Sequence, residues 1–135
     1  MKFYSIEGSL KKVKSPHKYL IKWHDKSLSN IQRAVKDFLK EFWSNDVVFE
    51  EFPVVGTRMK LDFYNDTKKI AVEVQGRQHD EYVKHFHRNK TGFWNQLKRD
   101  AKKREWCEKN QIQMVEIRDN DILSYKIFKD KGVNL

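Results

Sequence analysis

The order of segments along the chain predicts an α/β fold, a mixed β-sheet flanked by helices. Three observations carry this expectation. An amphipathic helical stripe comes first, a group of short β-branched and aromatic runs follows it, and a second long helical segment leads into one more apolar run of strand length. Helix, three strands, helix, strand is the resulting order. At 135 residues the chain has room for one real core but not for a catalytic domain joined to a full recognition domain. A single domain spanning 1–135 is expected, with a basic extension over 1–26, a core over 27–118 and a C-terminal helix within 119–135.

Each element has a local reason. The extension mixes lysines with Phe3, Tyr4, Tyr19, Leu20, Ile21 and Trp23, and Ser15-Pro16-His17 reads as a turn, so two short strands or an arm are expected. Ser27 or Ser29 is placed to cap a helix running to Trp43, along which Ile31, Val35, Phe38, Leu39 and Phe42 fall on one stripe. Ser44-Asn45-Asp46 ends it. Strands are expected over 47–51, 57–64 and 69–75. Side chains alternate along a strand, so Ile70, Val72 and Val74 should enter a core while Ala71, Glu73 and Gln75 share the opposite face. Met59, Leu61 and Phe63 form the apolar set of the preceding strand, with Asp62 on its other side. Gly76 frees the backbone to turn after the third strand. Residues 80–90 read as a helical turn or a loop. A helix over 93–109 should bury Phe93, Trp94, Leu97 and Ala101, with Cys107 near its end. Gln111–Arg118 reads as a strand and Ile122–Phe128 as a short last helix. Neither internal repeats nor low-complexity segments are visible.

Composition narrows the function classes. Lys and Arg number 28 against 19 Asp and Glu, a formal charge of +9 in a chain that is 39% apolar and 35% charged. The excess is clustered: residues 84–104 hold eight Lys or Arg and one acid, Asp100, and residues 1–26 hold seven Lys and two acids. Such clustering is the electrostatic footprint of nucleic-acid binding, although a charge run alone is as often a solvated face. One cysteine, Cys107, excludes an internal disulfide framework and a multi-cysteine zinc site, and its place beside Trp106 on a helix reads as a buried structural thiol. No signal-peptide run or membrane span is apparent, so an intracellular protein is expected, in cytoplasm or nucleoid, from a cellular or a viral genome.

The chemistry concentrates in the second and third strands. If they pair through the turn Asn65-Asp66-Thr67-Lys68, Asp62 and Glu73 converge. Two carboxylates at one point are costly unless a cation neutralises them, and hard oxygen ligands suit Mg²⁺ or Mn²⁺. In so basic a chain the matching substrate is a phosphodiester. The plain alternative is an exposed hairpin whose acids pair with Arg58 or Lys60. Gln75, on the Glu73 face, can orient water or touch phosphate but cannot act as a base; otherwise it is a solvent-facing amide. His79, across the glycine turn, is the candidate general base or proton shuttle. His85 and His87 fit solvent or phosphate contacts better than zinc. Asp100 shares a helical stripe with Gln96, Lys103 and Cys107, and a simple pair with Lys103 or Arg104 would be worth only about 0.3–0.5 kcal/mol. Arg77, Lys98, Arg99, Lys102 and Lys103 are the candidate nucleic-acid contacts, Lys103 also for transition-state charge. Gln32, one turn into the first helix, is a candidate supporting residue behind the site.

Asp62, Glu73 within Glu-Val-Gln-Gly-Arg-Gln-His ending at His79, and Asp100 within Gln-Leu-Lys-Arg-Asp-Ala-Lys-Lys together resemble the PD-(D/E)XK nuclease superfamily. The branch most alike contains the very short patch repair endonucleases and related homing endonucleases. The likeness covers roughly residues 29–118 and departs at Gln75, where the superfamily often has Lys and this branch Asp, and at Gln32, where some members have Glu. It implies a restriction-endonuclease-like core and a metal-dependent DNA endonuclease using Mg²⁺ or Mn²⁺. Asp62 and Glu73 would hold the metal, and Asp100 would orient His79 or a water. Two alternatives stand beside it: a resolvase of branched DNA, and a non-catalytic nucleic-acid-binding module with a degenerate site, favoured by Gln32 and Gln75. RNA is an alternative substrate. One such site cuts one strand, so a homodimer is expected for double-strand breaks. The apolar residues of the extension would then form the dimer contact or a lid, or else add a strand to the same core.

Overall fold

A computed structural model of the protein describes residues 1–75 and 90–135, with backbone alone at 90, 91 and 93. The elements are β1 (Lys2–Tyr4), β2 (Leu10–Lys12), a 3-10 turn (Pro16–Tyr19), α1 (Asn30–Trp43), β3 (Val48–Pro53), β4 (Lys60–Asn65), β5 (Ile70–Gln75), α2 (Lys90–Lys109), β6 (Gln113–Arg118) and α3 (Tyr125–Asp130). Strands β3 to β6 form one sheet in sequence order, antiparallel across β3, β4 and β5, with β6 parallel to β5. A parallel neighbour demands a crossover, and the crossover here carries α2. The mixed α/β sheet with helices that the sequence predicts is therefore present, with most boundaries moved by one to three residues.

Ser29 caps α1 by accepting a hydrogen bond from Gln32 N at 3.1 Å. The buried side of the helix is Gln32, Val35, Lys36, Leu39 and Trp43, so the inward stripe is rotated about one position from the apolar one. Ile31, Phe38 and Phe42 flank it and are half-buried. What rotates the helix is Lys36, whose Nζ lies 2.9 Å from Glu50 Oε1 and 3.0 Å from the Asp25 carbonyl, at 1% side-chain exposure. A lysine this deep needs such partners.

The sheet carries a separate apolar core on each face. On one, Val35, Leu39 and Trp43 of α1 and Phe128 of α3 pack against Val48, Phe63, Ile70, Val72, Val115 and Ile117. On the other, Trp106 and Cys107 of α2 pack against Phe49, Phe52, Leu61, Tyr64 and Ala71, with Phe3 and Val13 of the N-terminal segment. Strand β5 alternates as expected. Strand β4 does not: Leu61 and Tyr64 lie on the α2 face and Phe63 on the α1 face, so Met59, Leu61 and Phe63 are not one set. Phe49 and Phe52 of β3 likewise share a face three residues apart. The phase slips where Glu51, at φ 54°, breaks the β3–β4 ladder between Glu50–Phe63 and Phe52–Leu61. A left-handed glutamate is rare, and it displaces one residue of the pleat on each strand.

The N-terminal segment is built into this fold. β1 and β2 pair as a hairpin, Leu20 bridges Phe49, and Ile21 N donates to Val48 O at 2.9 Å, which covers the β3 edge. Asn110 holds β1 from both sides: Tyr4 N donates to its Oδ1 at 2.7 Å and its Nδ2 donates to Tyr4 O at 2.9 Å. The ring of Phe3 then sits 5.2 Å from that of Trp106. Phe3 and Val13 are thus consumed by the chain's own core, while Tyr4 and Leu20 stay exposed.

Removing one member of the Lys36–Glu50 pair leaves the other buried without neutralisation, which is costlier than losing both. Lys36→Met should lower unfolding stability by about 3 kcal/mol, and Lys36→Met combined with Glu50→Gln should recover a substantial part of it. Urea titrations of the two variants check this.

Candidate active site

The β4–β5 ladder pairs Asn65 with Ile70, Tyr64 with Ala71 and Phe63 with Val72, and stops there. Beyond that point side chains replace main-chain carbonyls. Val74 N donates to Asp62 Oδ2 at 2.8 Å, and Asp62 N donates to Glu73 Oε1 at 3.3 Å. The strands fork, and each carboxylate is fixed by the other strand's backbone. The convergence of Asp62 and Glu73 expected from the hairpin is present. Neither acid pairs with Arg58 or Lys60 among the described residues.

The pair is electrostatically strained. Glu73 is 5% exposed and Asp62 half-buried. Burial pushes the Asp62 carboxyl up from its ordinary range, against the Val74 N–H and the Glu73 side-chain bond. Glu73 is pushed well above its ordinary range, first by burial and then by the Asp62 charge. Lys103 opposes this from α2, its Nζ 3.4 Å from Glu73 Oε2. Both carboxyls are held above their ordinary range, and the site favours any cation that enters it.

The inward line of α2 is Gln96, Asp100, Lys103 and Cys107. Asp100 is 7% exposed and accepts a hydrogen bond from Gln96 Nε2 at 3.2 Å. It pairs with neither Lys103, which faces Glu73, nor Arg104, which lies 2.6 Å from Glu116 Oε1. The apolar face expected for this helix is corrected: Trp94, Leu97 and Ala101 are exposed, and Phe93 lies outside the described side chains. The polar line turns inward where Lys103 meets Glu73 and Gln96 partners Asp100, before the helix reaches the core at Trp106 and Cys107. The Cys107 thiol, pushed up to about 12 mainly by burial, is a structural group.

Lys98, Arg99 and Lys102 project into solvent from α2. Gln75 is half-buried at the end of β5, where its carbonyl accepts from Asp119 N at 3.2 Å. Gly76, Arg77, His79, His85 and His87 lie outside the described residues. Gln32 is 5% exposed, and its Nε2 donates to Glu50 Oε2 at 2.9 Å and to Glu51 Oε1 at 3.0 Å.

Sequence reasoning missed Glu51. The flanking pairs put it opposite Asp62 across the β3–β4 ladder, and burial first, with the Asp62 charge adding, raises its carboxyl pKa. The adjacent acids Glu50-Glu51 in a strand were the available signal, since alternation sends one of any two neighbours inward.

A hard divalent cation fits the donor set in part. Two converging carboxylates, both strained by burial, are what Mg²⁺ accepts, and it commonly completes its shell with water and phosphate oxygens. Among the described residues no three His, Cys, Asp or Glu side chains gather closely enough to hold a metal by themselves.

No protein-family model and no solved structure matches the chain. It is similar to viral proteins. Uncharacterized protein 307L of Invertebrate iridescent virus 6 is 39% identical over 59 residues, 44% of this chain and 30% of that protein. Uncharacterized protein 033L of Invertebrate iridescent virus 3 is 37% identical over 65 residues, 48% of this chain and 34% of its own length. Uncharacterized protein 094L of Frog virus 3 is 41% identical over 66 residues, 48% of this chain and 43% of its own. The matched stretches thus cover less than half of each relative. Among the described residues no helix is long and apolar enough to cross a membrane.

A carboxyl whose pKa is raised by folding weakens the fold as pH climbs from its unfolded value toward its folded one, because the folded state must ionise against burial. Glu73→Gln should therefore melt above the parent at pH 8 in chelator, and the difference should vanish near pH 4. Mg²⁺ should raise the parent's melting temperature at pH 8 and leave that of Glu73→Gln nearly unmoved. Thermal scans across pH, with and without Mg²⁺, measure both effects.

Proposed function

We propose that the protein is a metal-dependent endonuclease with a restriction-endonuclease-like core, hydrolysing phosphodiester bonds of DNA. The observation that carries the reading is the forked pair Asp62–Glu73, desolvated and incompletely neutralised beneath a helix whose outer face bears Lys98, Arg99 and Lys102. A solvated hairpin would not bury two acids together. Asp62 and Glu73 would hold Mg²⁺ or Mn²⁺, which supplies Lewis-acid stabilisation of phosphate charge and lowers the pKa of a bound water. Lys103, behind Glu73, would neutralise phosphate charge, and Asp100 would orient the base or a water. His79 keeps the role of base that the sequence resemblance implies. Because one site cuts one strand, a homodimer is the proposed form for double-strand breaks, and the viral relatives favour a virus-encoded enzyme.

One observation favours a second reading. The Lys103 ammonium at 3.4 Å from Glu73 occupies part of the field a metal would use, as in a nucleic-acid-binding module whose catalysis has decayed. Gln32 and Gln75 in place of charged residues point the same way.

Incubation with linear, nicked and junction DNA in Mg²⁺, Mn²⁺ or EDTA separates these readings, junction-selective cutting marking a resolvase. Cleavage should need metal, and Asp62→Asn or Glu73→Gln should abolish it while leaving DNA binding intact or tighter. Asp100→Asn and His79→Ala should each slow it by about 10²–10⁴-fold without loss of fold. Metal-dependent cutting that survives Asp62→Asn would place the chemistry elsewhere. Binding with no cutting in any metal would leave the module.

A further inference from the structure

A second concavity opens beside the carboxylates, and neither the metal site nor the basic face of α2 uses it. It encloses about 340 Å³ between β3 and the segment that follows the 3-10 turn. That volume is within the ~300–1,000 Å³ of small-molecule sites. Three kinds of group line it. Lys18, Lys22 and Lys26 are exposed at its edge, and no ion pair among the described residues engages them. Tyr19, Leu20 and Leu28 supply an apolar wall, Leu28 at 80% exposure and Leu20 at 46%. Glu50 and Glu51 line the side toward the sheet.

The wall is held firmly. Ser27 Oγ donates to Glu50 Oε2 at 2.7 Å, Lys36 Nζ to Asp25 O at 3.0 Å, and Arg33 also donates to Asp25 O. Glu50 is saturated by Ser27, Gln32 and Lys36. Glu51 is not: Gln32 reaches its Oε1, and its Oε2 has no hydrogen-bond partner among the described residues. Glu51 also stands opposite Asp62 across the β3–β4 ladder, so one residue links the cleft to the forked pair.

We propose that this cleft seats one unstacked nucleotide of the strand being cut, next to the scissile phosphate. The lysines take its phosphates, Tyr19, Leu20 and Leu28 cover its base, and Glu51 accepts from a base N–H donor. Bases stack on apolar and aromatic walls irrespective of sequence, while a carboxylate accepting from an exocyclic amine adds preference. This assignment rests on the nuclease reading and gives the N-terminal segment a role in gripping substrate.

The test uses the full chain in EDTA, where cutting is off, with single-stranded and gapped oligonucleotides carrying 2-aminopurine at successive positions. One position should brighten on binding, and Lys18→Ala/Lys22→Ala/Lys26→Ala should abolish that signal. The same variant should flatten the slope of log affinity against log salt by about 1.4 on single strands, the two flanking phosphates at ~0.7 each. Lys98→Ala/Arg99→Ala/Lys102→Ala should weaken binding and keep the brightening. Glu51→Gln should change which base brightens most. If no position responds, or the triple-lysine variant keeps both signal and slope, the cleft is not a nucleotide site; the nuclease reading then stands or falls on the Asp62 and Glu73 variants alone. If the parent binds no nucleic acid even at low salt, both assignments fall together.

Discussion

The hydrogen bond from Val74 N to the Asp62 carboxylate, 2.8 Å long, is the constraint on which the architecture turns. It sits where an antiparallel ladder would call for a backbone carbonyl. Accepting that amide with a side chain ends the β4–β5 pairing, opens the fork, and leaves Glu73 to receive the amide of Asp62 in return. Neither acid can swing into solvent without stranding a buried donor on the neighbouring strand. The same place is where the side-chain phase of β4 slips, sending Phe63 to the α1 core while Leu61 and Tyr64 serve the α2 core. That local bond thus fixes the position of the acids, while the left-handed Glu51 opposite sets the division of the apolar residues between layers.

A polar seam crosses the sheet from α1 to α2 at this level. It runs from Lys36 through Glu50, Gln32 and Glu51 to Asp62, Glu73 and Lys103. Four carboxylates face two ammoniums along it, a local negative excess inside a chain of net charge +9. That inversion explains why burial and like charge raise three of the carboxyl groups, Glu51, Asp62 and Glu73, together. Near the Glu50 end the acids are matched and build structure. At the Glu73 end the match is partial.

Much of this was legible in the residues. The element order, the cap at Ser29, the alternation of β5 and the meeting of Asp62 with Glu73 follow from short-range patterns. What was not legible required knowing the partner. Lys36 reads as a solvent-facing lysine until Glu50 is placed beneath it. Phe63 changes face because Glu51 adopts φ 54°, which no propensity assigns to a glutamate. The inward line of α2 reads as polar, and an apolar-stripe rule discards it, yet Lys103 turns inward to meet Glu73 and Asp100 is buried on the same line with Gln96 as its partner. Polar groups that satisfy one another look like surface in a sequence, and only the tertiary arrangement separates the two.

The clasp of Asn110 on Tyr4, with Phe3 set against Trp106, couples the order of synthesis to the order of assembly. The β1 strand leaves the ribosome well before α2, and the Trp106 and Asn110 part of its docking surface is made about a hundred residues later. At about 5–20 residues added per second, Phe3 waits on the order of 5–20 s for its partner. Over that interval β3, β4 and β5 emerge and can pair locally, but their α2-side face, including Phe52 and Tyr64, has no α2 to cover it. Completion of this layer is therefore a late event of high contact order, and the aromatic face stays open to chaperones until α2 is made.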